Sequence, residues 1–145
     1  MNPAALALAA INAASAEVRV ETLLSDAIPR GPQLVIANPP YMIDTLGRAY
    51  RDGGDLLGGA VALRWAKQAL EGLAPGGSLL LYTGAAYSDG RSPLLDAIAA
   101  ACAEVGASLE LDEIDPDVFG DELDQPGYAS VDRIAAVGAV ITVRT

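Results

Sequence analysis

The residues best suited to chemistry stand four in a row, Asn38-Pro39-Pro40-Tyr41, reached directly from the apolar run Val35-Ile36-Ala37. Each proline fixes its own φ at about −65° and pushes the residue ahead of it toward an extended conformation, so the carbonyls beyond the run point in set directions. The Asn38 side-chain oxygen and the Pro39 backbone carbonyl then offer two acceptors at different angles, and the Tyr41 ring offers a flat apolar surface. That set suits a planar amide or amino nitrogen. Its two N–H groups would be held by the acceptors while its delocalised lone pair faces an electrophilic carbon such as a sulfonium methyl. No titrating base is required, because the gain would come from orientation and from stabilising the positive charge that develops on nitrogen. The absence of histidine is therefore no obstacle. Taken alone, the same residues also make a stiff turn, with Asn initiating, the prolines blocking further pairing and Tyr covering a sheet edge. Position favours the chemical reading: the motif follows a strand pattern, precedes a glycine-rich loop and leads on to Pro75-Gly76-Gly77.

Other residues with chemical potential are weaker. Arg48, Tyr50 and Arg51 lie just beyond the motif and could touch a substrate, though a solvated surface loop is the better reading of them. Eight acids fall between Glu110 and Asp124. Their spacing does not make a calcium loop, and Pro116 and Phe119 stand where ligands or glycine would be wanted, so a solvated loop and no metal are expected. Cys102 is the one cysteine, which rules out an internal disulfide or a thiolate metal cluster. A reduced, cytoplasmic setting follows from that. Nineteen acids against nine bases give a net charge of −10, which repels phosphate backbones and favours a basic peptide or protein as partner.

These residues need elements to position them. Asn2 and Pro3 supply a cap and a first helical residue for a helix over Ala4–Ala14, and no uncharged run is long enough to span a bilayer. Val18 to Leu23 alternates with period two and predicts a strand. Leu34–Ala37 and Leu79–Tyr82 are short, continuous apolar runs, the pattern of central strands covered on both faces of a parallel sheet. Between them Leu56, Leu63, Ala66, Leu70 and Leu73 form one stripe of a crossover helix of about five turns, stopped by Pro75-Gly76-Gly77. Ser92-Pro93 begins another helix, with Leu95, Ile98, Cys102 and Val105 on one face and Gly106 at its end. Leu109–Ile114 and Ile134–Val143 follow as strands with no helix between them, and so should close the sheet as an antiparallel pair. The whole chain reads as one doubly wound α/β domain. Asn38 then falls at the carboxyl end of a strand, where open α/β sheets bind ligands.

At this point the chain resembles the class I S-adenosylmethionine-dependent methyltransferases with an Asn-Pro-Pro-Tyr motif, of the small-domain, release-factor glutamine and N6-adenine groups. Besides Asn38 to Tyr41, Asn2 to Ala9 is similar to the family segment after its second strand. Ser25-Asp26 resembles the end of its third strand, and Leu73 to Leu81 the approach to its fifth. Four matches in the family's order cover nearly the whole chain. Gly53-Gly54-Asp55-Leu56-Leu57 is a shorter match to a glycine-rich stretch of the glutamine methyltransferases. The resemblance implies S-adenosylmethionine as cofactor, with Asp26 accepting a hydrogen bond from the adenine amino group, Ala27 beside the adenine ring, and Asn38 facing both cofactor and substrate. Asn38, Pro39, Pro40 and Tyr41 would form the catalytic set, with Asn38, Pro39 and Tyr41 contacting the methyl acceptor.

The family's first strand, glycine-rich turn and second strand have no counterpart, and no Gly-x-Gly-x-x-Gly pattern follows a strand. Residues 1–145 are thus expected to be a partial catalytic domain, a Rossmann-like sheet without its first two strands and with a final antiparallel strand. In the family those strands lie between the third and fourth, so their loss would expose an inner strand and favour a homodimer through the sheet edge. Three functions stand open: methylation of an amide, foremost a protein glutamine; methylation of an exocyclic amine in nucleic acid; and a non-catalytic dimerisation or docking module.

Overall fold

A computed structural model describes residues 2–145 as three α-helices and one four-stranded sheet. Helix α1, Pro3–Ser15, starts where the cap residues place it: the Ala4 N–H donates to Asn2 Oδ1 at 3.0 Å. Strand β1, Leu34–Ala37, runs parallel to β2, Ser78–Tyr87, and α2, Ala60–Gly72, lies between them in the chain. Helix α3, Pro93–Val105, ends on Gly106 at φ +68°, a left-handed turn that glycine adopts without strain. Strand β3, Ser108–Asp115, is followed by β4, Arg133–Thr142. The sheet order is β1-β2-β4-β3, with β4 antiparallel to both neighbours, so the other three strands run one way.

Alternate residues of the strands meet different surroundings. Leu79 and Leu81 of β2 and Ala139 and Ile141 of β4 are buried against Ala62, Ala66 and Ala69 of α2 and Leu94, Ile98 and Cys102 of α3. The small residues of α2 let that helix approach the sheet closely. Both helices serve this one face. On the opposite face Leu80, Tyr82 and Val140 are partly exposed, and Ile36 is 75% exposed. Helix α1 buries only Ala13. No helix among the described residues is long and apolar enough to cross a membrane.

Several expectations are corrected. Leu34–Ala37 is an edge strand, not a central one covered on both faces, because nothing among the described residues pairs with its outer side. Val18–Leu23 forms no strand: Val18, Val20 and Leu23 are exposed, and an extended segment without a partner has no ladder to hold it. The crossover helix is shorter than its apolar stripe, since Leu56 and Leu57 adopt φ of +57° and +55° and the helix begins only at Ala60. Ser92 caps α3 through its backbone carbonyl, which accepts from the Asp96 N–H at 3.0 Å. Its hydroxyl is buried without a partner.

Candidate functional site

The loop that leaves β1 places Asn38 in solvent, Pro39 in the interior and Tyr41 half-buried. The Tyr41 ring lies against the backbone of β2. A Cβ added at Gly84 would come within 2.6 Å of Tyr41 Cδ2, so only glycine admits the ring there. Tyr82 meets the ring edge-on at 6.2 Å between centroids, and Phe119 tilts against it at 5.5 Å. Burial, with the neighbouring Tyr82 adding to it, pushes the Tyr41 hydroxyl above its ordinary pKa. Tyr41 is therefore uncharged at neutral pH, a packing surface and not a base.

Behind the motif two backbones cross at close range. The Met42 N–H donates to the Arg51 carbonyl at 3.1 Å, and the Gly53 N–H donates to the Met42 carbonyl at 2.8 Å. A Cβ at Gly53 would overlap the Gly58 carbonyl oxygen at 1.7 Å, and one at Gly58, where φ is +90°, would meet the Tyr41 carbonyl oxygen at 2.6 Å. These glycines permit a crossing that any side chain would block. The buried Asp44 carboxylate secures the next turn, accepting from the Arg48 N–H at 2.6 Å and from its guanidinium at 2.5 Å. The Arg48 hydrogen bond holds that carboxyl below its usual pKa, against the opposing effect of burial. Arg51 Nε lies 3.7 Å from the same carboxylate, and the Arg51 guanidinium pairs with Glu122.

Glu122 belongs to the connection between β3 and β4, which was expected to be a solvated loop. It instead folds back through two short 3-10 turns, Gly120–Glu122 and Pro126–Tyr128, and forms the far wall of the site. Tyr128 is 1% exposed, and its hydroxyl accepts from the Ile43 N–H at 2.7 Å while lying 3.7 Å from Met42 Sδ. Together the two loops enclose a cavity of about 500 Å³ bordered by Asn38 to Met42 on one side and by Tyr50, Arg51, Phe119 and Glu122 on the other. Asn38, Pro39, Pro40 and Tyr41 are thus brought together. The aromatic wall at Phe119, the pin at Tyr128 and the Arg51–Glu122 bridge were missed. The available signals were the one phenylalanine of the chain inside an acidic stretch and a tyrosine following Pro126-Gly127.

Asp26 and Ala27 lie elsewhere. Both are exposed in a turn in which Ser25 Oγ accepts from the Ala27 N–H at 3.0 Å. They border a separate hollow of about 390 Å³ that follows the open edge of β1 and reaches Ala37, one residue before Asn38. The two hollows share no lining residue, one ending at Ala37 and the other beginning at Asn38. Among the described residues no group of three metal-binding side chains is assembled.

No protein-family model matches the chain. A release factor glutamine methyltransferase from Cereibacter sphaeroides is 38% identical over 130 aligned residues, a match that covers 77% of this chain and 45% of that protein. The chain thus spans about half the length of this curated relative. Among solved structures, a methyltransferase from Pyrococcus furiosus superposes with a TM-score of 0.58 at 14% identity, covering all of this chain and 60% of that one. With its α/β order and its antiparallel β4, the chain has the fold of a Rossmann-like methyltransferase sheet.

Proposed function

We propose that this chain carries the acceptor-facing part of an S-adenosylmethionine-dependent N-methyltransferase whose acceptor is a planar amide or amino nitrogen, foremost a protein glutamine side chain. The observation that carries this reading is the exposed Asn38 on a proline-fixed loop, at the mouth of a cavity walled by Tyr41 and Phe119. A flat amide can lie against this aromatic wall, with the Asn38 oxygen and the Pro39 carbonyl taking its two N–H groups. The similarity to a glutamine methyltransferase supports an amide acceptor. The net charge of −10 supports a protein over a nucleic acid.

When bound, S-adenosylmethionine supplies the methyl group as an electrophile. The residues present fit one end of it: the Asp26 carboxylate suits the adenine amino group, and the hollow beside it has apolar walls in Leu34 and Ile36. The glycine-rich cradle for the rest of the cofactor is not among these residues, and we assign it to a part of the fold that this chain does not span. Asn38 and the Pro39 carbonyl orient the acceptor, the Tyr41 ring, backed by Phe119, offers its flat face a surface, and the Arg51–Glu122 bridge closes the cavity's side. The acceptor nitrogen loses its proton to solvent after transfer, so no side-chain base is invoked.

The test is calorimetric titration of S-adenosylhomocysteine into the chain and into its Asp26→Ala variant, together with methyl transfer to a glutamine-containing peptide by a chain extended with the missing cradle. Asn38→Ala in that extended enzyme should lower transfer by about 10²-fold or more, as loss of a preorganised polar contact does. Transfer unchanged by Asn38→Ala would sink the reading.

A further inference from the structure

The proposed chemistry leaves one polar atom of the acceptor unanswered. A carboxamide carries two N–H donors and a carbonyl oxygen, and the Asn38 oxygen and the Pro39 carbonyl serve only the donors. An oxygen drawn out of water without a donor is costly. Four side chains that border the cavity carry donors: Asn38, Tyr41, Tyr50 and Arg51. Asn38 is committed through its oxygen, the Tyr41 ring is packed against β2 at Gly84, and Tyr50 is 77% exposed. Arg51 is different. Its side chain is 29% exposed and is flanked by two carboxylates, pairing with Glu122 through Nη2 while its Nε lies 3.7 Å from Asp44. That Nε is buried and has no hydrogen-bond partner. The hydrogen bond from Glu122, foremost, raises the Arg51 pKa against the effect of burial, so the group stays cationic.

We propose that Arg51 donates to the carbonyl oxygen of the acceptor, so that the cavity reads a whole carboxamide: Asn38 and Pro39 at its nitrogen, Arg51 at its oxygen. The inference rests on the reading of this site as an amide N-methyltransferase and names a further binding residue within it. Two observations favour a ligand contact over a purely structural bridge. Arg48 already fills the Asp44 carboxylate through its own N–H and guanidinium, so a shift of the Arg51 fork toward the cavity breaks no hydrogen bond there. Gln125 Nε2 also bonds Glu122, so the turn that carries Glu122 has a local partner of its own. A guanidinium offers five N–H donors, and the pairing with Glu122 leaves others for a ligand. As the acceptor nitrogen takes the methyl carbon, its lone pair leaves conjugation and the oxygen loses part of its negative charge. The Arg51 contact is therefore stronger to the bound acceptor than at the transition state, and its loss falls on binding more than on transfer. An aliphatic amine has no such oxygen and leaves the guanidinium unanswered.

The experiment is an NMR titration of this chain with a glutamine-containing peptide isotope-labelled at the side-chain carbonyl carbon, repeated with Arg51→Met, Arg51→Lys and Asn38→Ala. In the parent the labelled carbonyl should move downfield on binding, as it does when its oxygen accepts from a cation. Arg51→Met should weaken binding by about tenfold or more and abolish that displacement. Arg51→Lys keeps a charge beside Glu122 and guards against a loss that merely reflects misfolding: it should melt with the parent, yet recover only part of the displacement, because an ammonium lacks the planar fork. Asn38→Ala should weaken binding while the carbonyl still moves. Equal binding by the parent and Arg51→Met, or a displacement that survives Arg51→Met, would overturn the inference and leave Asn38 in place. A parent that binds no peptide would overturn it as well. Binding untouched by Asn38→Ala would instead count against the amide reading, so the two fail on different variants.

Discussion

The two sides of one sheet differ more than their sequences do. Along β2, Leu79 and Leu81 are fully buried beneath α2 and α3, whereas Leu80, between them, is 37% exposed. All three are leucine, so hydrophobicity alone does not say which face this chain's own helices cover. A continuous apolar run encodes a strand intended for two covered faces. The helices decide which face is filled locally, and here both sit on the same one.

Substitutions on the two faces should therefore separate. Leu79→Ala should destabilise the fold by about 2–5 kcal/mol, through lost transfer energy and a cavity that the small residues of α2 cannot fill. Urea unfolding measures this directly, and an effect as small as that of a surface residue would mean that the helical layer is loosely held. Tyr128→Phe probes a third environment, the loop wall. It strips the Ile43 N–H of its acceptor while keeping the ring, and should cost about 1–3 kcal/mol in the same assay. Leu80→Ala should cost less than about 1 kcal/mol, as at a site left largely in contact with water. Equal losses for Leu79→Ala and Leu80→Ala would erase the contrast between the faces.

The smallest effect expected is one of pH. Asp44 has a folded-state pKa below its unfolded value, chiefly through its hydrogen bond from Arg48. Its contribution is complete above the unfolded carboxylate value of about 4 and is lost as pH falls below that, through the folded value. Asp44→Asn should accordingly lower stability at neutral pH and flatten the acid limb of a stability-against-pH curve. A limb of unchanged slope would remove Asp44 from the groups that hold the loop.

Much of this arrangement was legible from short-range patterns. Asn2-Pro3, Ser92-Pro93 and Gly106 mark helix ends because capping and left-handed turns are local requirements, and the β-branched run at Ile134–Val143 is long enough to identify itself as a strand. The four motif residues could be placed at a strand's carboxyl end for the same reason. What escaped was long-range. Tyr128 reaches Ile43 across a sequence separation of 85 residues, and neither residue carries a periodic signal pointing to the other. Phe119 reads as a stray aromatic in an acidic loop until Tyr41 is found beside it. Val18–Leu23 erred in the opposite direction: its alternation is real, but pairing depends on a neighbour that local sequence does not describe.

The placement of β4 between β2 and β3 also sets an order in time. During synthesis β2 emerges with only β1 to pair with, and β3 has no neighbour in the sheet until β4 follows it. At roughly 5–20 residues per second, the stretch from Tyr87 to Arg133 takes several seconds to appear. Through that interval the apolar edge of β2 is open, while the cavity wall at Phe119 and Tyr128 has no finished sheet to fold against. The acidic β3–β4 connection is translated during this interval, ahead of the strand that completes the sheet.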